Sequence, residues 1–160
     1  MENKDIDKEI EKLSKLLNEL LNSEPKKIRD LICKEYMTKN GVYAIYEKDN
    51  LNTPIYIGKT EKQKKGVNGR MNNLLGDCLS HTLNLKLLCD KILNWDRGKI
   101  VRKDIILKWN NLPKEESKKY RKEVRNYIEQ NLKIRFKELS EEIPRFEHFA
   151  IGVMNPSLND

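Results

Sequence analysis

Two runs near the middle of the chain, Gly41-Val42-Tyr43-Ala44-Ile45-Tyr46 and Ile55-Tyr56-Ile57-Gly58-Lys59-Thr60, restrict its fold more than any other feature. Both are rich in β-branched and aromatic residues, which suit a pleated, half-buried surface. Between them stands Glu47-Lys48-Asp49-Asn50-Leu51-Asn52-Thr53-Pro54, which is turn and loop chemistry. The stretch therefore predicts a β-hairpin. With period two, Tyr43 and Ile45 share one face of the first strand, and Tyr56, Gly58 and Thr60 share one face of the second. Antiparallel pairing brings Tyr43 and Tyr56 onto a common surface. Gly58 keeps that surface low, leaving room for a backbone or ligand.

Helical periodicity surrounds the hairpin. Ile6, Ile10, Leu13, Leu17 and Leu20 follow steps of four and three and predict an amphipathic helix with a heptad-like seam, suited to packing or to a homodimer. Pro25 fits the first turn of a second helix over Lys26–Tyr36. Further on, Asn68 is read as the N-cap of a helix carrying Arg70, and Ser80 as the cap of another with Leu85, Leu88, Ile92 and Trp95 at helical spacing. Residues 99–113 are ambiguous between strand and helix, and 113–131 read as a strongly charged helix. Leu132, Ile134 and Phe136 alternate with Lys133, Arg135 and Lys137, a half-buried strand. Pro144 opens a last helix with Phe146, Phe149, Ala150 and Val153 as its apolar stripe and Glu147 off it, and Pro156 ends it. The expected architecture is an α/β (α+β) sandwich. It has a small three-stranded antiparallel sheet flanked by helices, an N-terminal helical extension over 1–38, and a domain over 39–160 with an insertion at about 96–130.

A length of 160 residues suits one compact domain with a modest core. The net charge of +7 favours a polyanionic partner, nucleic acid above all. Three cysteines without a CxxC pair are read as reduced thiols in a cytoplasmic protein. No apolar run reaches membrane-spanning length, so no membrane partner is expected.

Taken singly, the polar residues are ordinary: Tyr43 and Tyr56 as sheet aromatics, Arg70 as a surface cation, Glu147 as a helix carboxylate, His81 beside a helix start. Neither His81 nor His148 has a second ligand at zinc-site spacing, and no phosphate loop or Ser/His/Asp set is visible. Their order is more specific. Gly41-Val42-Tyr43, then Tyr56-Ile57-Gly58 with Lys59-Thr60, then Arg70, His81, Glu147 and Asn159, resembles the GIY-YIG nuclease family over residues 41–159, interrupted by the insertion. The chain departs from the family's tightest members in longer loops before and after Tyr56, in the insertion, and in a penultimate Asn159.

The resemblance implies a divalent-metal-dependent endonuclease acting on duplex or branched DNA, with Mg²⁺ or Mn²⁺ as cofactor and 5′-phosphate and 3′-hydroxyl products. Phosphodiester hydrolysis needs an activated water, charge neutralisation at phosphorus and stabilisation of the leaving oxygen. Glu147 would hold one metal, since Mg²⁺ accepts a single carboxylate and keeps waters. Arg70 would grip the phosphate through its fork of donors. Tyr43 would act as general base or orient the water, with Tyr56 hydrogen-bonding nearby, His81 on the proton path and Asn159 completing the set. With an ordinary pKa near 10, Tyr43 needs help from Arg70 or the metal. Lys59, Lys62, Lys64 and Lys65, with the basic side of 114–137, would track flanking phosphates. Two other classes compete. One is a nucleic-acid-binding module of the same fold without catalysis; the other is a protein-interaction domain using the leucine seam. No appended zinc finger or helix-turn-helix is recognisable, which predicts weak sequence preference.

Overall fold

The computed structural model describes residues 3–62, 64–76, 81–94 and 102–159. Along the chain run α1 (Asn3–Asn22), β1 (Lys26–Lys27), two 3₁₀ turns (Ile28–Leu31 and Lys34–Tyr36), β2 (Gly41–Glu47), β3 (Tyr56–Thr60), α2 (Gly66–Gly76) and α3 (Thr82–Leu87). A π-helical turn (Leu88–Leu93) extends α3, and α4 (Arg102–Asn110), α5 (Lys114–Asn131), β4 (Leu132–Glu138) and α6 (Ile143–Met154) follow. The protein is mixed α+β, and its sheet is antiparallel throughout in the order β1-β4-β2-β3.

The hairpin forms as its alternation requires. Tyr43 lies opposite Gly58 and Ile45 opposite Tyr56, and β4 pairs on the other side with Phe136 opposite Tyr43 and Ile134 opposite Ile45. Each sheet face covers a separate core. Tyr43, Ile45, Tyr56 and Ile134 pack against Val67, Met71 and Leu74 of α2, Leu83 and Leu87 of α3, and Val124 and Ile128 of α5. Val42, Ala44, Tyr46 and Ile57 pack against Leu13, Leu17 and Leu20 of α1 and Phe146 and Ala150 of α6. The result is a helix–sheet–helix sandwich. Each of the three α1 leucines gains roughly 1.5–3 kcal/mol from this burial, so the seam is committed to the chain's own sheet. Ile6 and Ile10, at its N-terminal end, are 42% and 50% exposed.

Several expectations are corrected. The sheet has four strands rather than three, because the segment after Pro25 is not a helix. Lys26 and Lys27 pair with Ile134 and Lys133 at the β4 edge, and the chain then turns through 3₁₀ geometry that buries Ile28 and Leu31. That spacing of three eclipses side chains in a 3₁₀ turn and suits it better than an α-helix. The Asp30 carboxylate accepts the Lys27 N–H at 2.9 Å and fixes the entry. Asn68 is not a cap: α2 begins at Gly66, and the Asn68 side chain lies inside, donating to Cys33 O at 3.0 Å. The ambiguous stretch is helical from Arg102 to Asn110, with Ile105 and Trp109 buried four residues apart; residues 99–101 lie outside the described ones. The charged helix and the alternating strand stand as read, as α5 and β4. In α6, Pro144 occupies the first turn, Phe146 and Ala150 are buried, and Val153 is 56% exposed. Ser80 and Trp95 fall outside the described residues. Among the described residues, no helix is long and apolar enough to cross a membrane.

Candidate active site

Four of the expected residues converge on one face of the sheet. The Tyr43 and Tyr56 ring centroids are 6.3 Å apart, and the His81 ring lies 6.4 Å from the first and 6.0 Å from the second. Their positions follow from local structure: β2 and β3 place the tyrosines side by side, and α2 delivers Arg70 from its first turns. His81 is the N-cap of α3, the place expected for Ser80. Its Nδ1 accepts the Leu83 N–H at 3.2 Å, and its Nε2 lies 3.1 Å from Tyr43 Oη. Arg70 Nε donates to the same oxygen at 3.4 Å, a long bond.

These contacts decide the state of the imidazole. Burial, with a smaller push from Arg70, lowers the His81 pKa to about 3, so the ring is neutral near pH 7. Nδ1 is engaged as an acceptor, which leaves the single proton on Nε2. His81 therefore donates to Tyr43 Oη and does not take a proton from it. With Arg70 also donating, both acceptor directions of the phenol oxygen are used, and the phenol's own proton points elsewhere. Burial pushes the Tyr43 hydroxyl far above its ordinary value, helped by Tyr56 and opposed by Arg70. Burial also raises Tyr56. Burial works against the Arg70 charge, but the two tyrosines outweigh it and keep the guanidinium protonated. Tyr43, Tyr56 and His81 are buried; among the cluster and Glu147, only Arg70 and Glu147 reach solvent.

Gly58 proves to have a different job from the expected one. A Cβ there would lie 2.5 Å from Tyr43 Oη and 2.9 Å from Tyr56 Cε1, so the low surface is already filled by the tyrosine rings and not held open for a ligand. Gly41, at the start of β2, likewise lets the Lys137 carbonyl of β4 pass where a side chain would stand.

Glu147 approaches from the other layer. It lies on α6, which packs on the face opposite the tyrosines, and its Oε2 is 3.2 Å from Lys59 Nζ, with the carboxylate side chain only 14% exposed. Its charge still reaches across the β3 edge and raises both tyrosine hydroxyls. As a metal ligand Glu147 stands without a cage: no group of three or more His, Cys, Asp or Glu capable of holding an ion occurs among the described residues. That donor set fits Mg²⁺, which retains waters and takes substrate oxygens, and does not fit a metal caged by protein ligands. Lys59 occupies that carboxylate, so a metal ion taken there would have to displace its ammonium.

Asn159 is drawn to main chain rather than to the cluster. The Ile57 N–H donates to its Oδ1 and its Nδ2 donates to Ile57 O, both at 2.7 Å, so the side chain acts as an extra rung on the β3 edge. The Leu158 N–H donates to Ile55 O at 2.8 Å, and Lys86 Nζ to Leu158 O at 2.6 Å. Composition and spacing carry no sign of Lys86 as the anchor of this tail; only its burial beside the chain end reveals it. Lys62, Lys64 and Lys65 are exposed in the turn between β3 and α2, free to meet phosphates, whereas Lys59 is engaged by Glu147. A cavity of about 710 Å³ lined by Lys62 and Lys137 and by Glu61, Glu138, Glu141 and Glu142 lies apart from the tyrosine cluster, and its acids outnumber its bases, which does not suit a phosphate.

No protein-family model, curated protein or solved structure matches this chain. What the site can do rests on its own geometry.

Proposed function

We propose that this protein is a divalent-metal-dependent endonuclease that hydrolyses DNA phosphodiester bonds, in keeping with its resemblance to the GIY-YIG nucleases. One observation carries the proposal: Tyr43 Oη lies within hydrogen-bonding reach of both His81 Nε2 and Arg70 Nε, inside a ring of residues in the order that chemistry uses. Packing alone does not ask for a neutral, donor-oriented histidine aimed at a buried phenol.

In this reading Arg70, the half-buried member of the cluster, takes the scissile phosphate with its remaining guanidinium donors. The phenolate form, made when the Tyr43 proton is lost to solvent hydroxide, keeps the two hydrogen bonds from His81 and Arg70, which stabilise it. The direction the proton vacates, away from both donors, then accepts a proton from the attacking water as its oxygen bonds to phosphorus and the leaving oxygen departs. Tyr56 packs beside it and excludes bulk water. Glu147 would hold the metal, which when bound neutralises charge growing on the phosphate oxygens. Lys62, Lys64 and Lys65 hold flanking phosphates. Asn159 is a positioning residue that fixes Ile57, between Tyr56 and Gly58.

A second reading, a nucleic-acid-binding module without catalysis, is favoured by the Lys59–Glu147 ion pair and by the burial of Tyr43. Supercoiled plasmid incubated with Mg²⁺, with EDTA, and with Glu147→Gln separates the two. Metal-dependent nicking lost in Glu147→Gln supports the nuclease. Intact plasmid in every lane, from a protein that still retards DNA, supports the binding module.

A further inference from the structure

The face of α5 away from the sheet carries Lys118, Arg121, Lys122 and Arg125, which recur at helical spacing and form one stripe. With Arg29 and Glu129 they line a groove of about 550 Å³. All four stripe residues are exposed, and two are held in place. The Arg121 guanidinium lies over the Trp109 ring at 5.8 Å, and Arg125 Nε donates to Leu75 O, near the C-terminal end of α2, at 2.8 Å. Glu129, the acid on this lining, is already paired with Arg29. Four cations therefore face the groove without a balancing charge on its walls. Elsewhere on α5 the chain does balance itself, as in the Lys119–Glu123 pair. On the stripe, Lys118 faces Lys122 and Arg121 faces Arg125 at i,i+4, each pair costing the helix a few tenths of a kcal/mol (about 0.2–0.5). A helix that keeps such repulsion on one side only is built to meet an anion there.

We infer that this groove binds the sugar-phosphate backbone of duplex DNA, as a second contact separate from the tyrosine cluster. The choice of DNA as the polyanion rests on the nuclease reading and on position. Arg125 grips α2 at Leu75, five residues or about 7.5 Å of helix axis beyond Arg70, so the stripe is anchored to the helix that carries the proposed phosphate-binding arginine. The groove offers cations and no shaped acceptor set, so it holds any sequence alike.

The test is fluorescence anisotropy of a labelled duplex, titrated with salt in EDTA so that nothing is cut. Lys118→Glu/Lys122→Glu lowers affinity at least about tenfold and reduces the slope of log K against log salt by about 2. A charge-matched control on α1, in the opposite helical layer, Lys4→Glu/Lys8→Glu, leaves both largely unchanged. An unchanged slope in the first variant, or an equal loss in the control, overturns the groove. Displacement of the duplex by polyglutamate at equal charge also overturns it, in favour of an acidic protein segment. The plasmid assay is independent: groove-dependent binding without cleavage removes the nuclease and keeps the groove, and cleavage with groove-independent binding does the reverse.

Discussion

Gly58 stands across the β2–β3 ladder from Tyr43, and a methyl group on it would meet the Tyr43 hydroxyl at 2.5 Å. The glycine is thus selected by the tyrosine it faces. Gly58→Ala should destabilise the protein by about 1–3 kcal/mol, the usual cost of overpacking. In a Tyr43→Ala background the same change should cost less, with only the 2.9 Å approach to Tyr56 Cε1 left. Urea denaturation of the four proteins measures the coupling, and an equal cost in both backgrounds would show that the contact is not the reason for glycine.

His81 supplies a pH dependence. Its folded pKa is depressed to about 3 by burial, below the ordinary value of 6.5. Below pH 6.5 the unfolded chain binds a proton that the folded one refuses, so stability present above pH 6.5 is lost as pH falls toward 3. At pH 5 the loss should reach about 2 kcal/mol. Urea midpoints between pH 7.5 and pH 5 should fall in the wild type and stay much flatter in His81→Gln; parallel slopes would contradict a buried neutral histidine.

Tyr43 predicts the kinetic pH profile. Because burial raises its pKa far above neutrality, only a small phenolate fraction exists, and that fraction grows tenfold per pH unit. Cleavage should therefore rise with pH with a slope near one from about pH 6.5 to about pH 9. Tyr43→Phe should reduce the rate by roughly 10²–10⁴-fold and flatten the profile. A bell centred near neutrality would point to a different base.

Asn159 joins the end of the chain to β3 through both main-chain groups of Ile57. Asn159→Ala should cost about 1–3 kcal/mol by leaving those groups unpaired. Hydrogen exchange at the Ile57 amide reports it directly: protection in the wild type, faster exchange in the variant. Equal exchange would mean that the tail does not cover this edge.

The leucines of α1 separate packing from dimerisation. Leu17→Ala should lower stability by about 2–5 kcal/mol through the cavity left against the sheet, with no change of mass in solution. A drop from dimer to monomer would instead restore the seam to a partner chain.

Much of the architecture was legible because it is local. The β-branched and aromatic run of 41–46 and the alternation of 132–138 follow from strand geometry, and the four-and-three steps of α1 and the charged run of α5 follow from the helical turn. The segment after Pro25 was not legible: two residues are too few to show a period, and their pairing depends on β4, more than a hundred residues away. Asn68 looked like a cap because capping is a property of residue type, but Cys33 O, far along the chain, claimed its amide.

The same division holds at the candidate site. By itself the sequence determined that two tyrosines share a strand face, that an arginine, a histidine and a glutamate follow in order, and that the surface is basic. Tertiary structure alone decided that the Tyr43 ring fills the space above Gly58, that Leu83 fixes the histidine tautomer, that Lys59 holds Glu147 at the sheet edge, and that Asn159 closes on Ile57. Periodicity is written by backbone geometry within a few residues. The partner of a hydroxyl, an imidazole nitrogen or a carboxylate is set by whichever distant groups the packed chain brings within three ångströms or so.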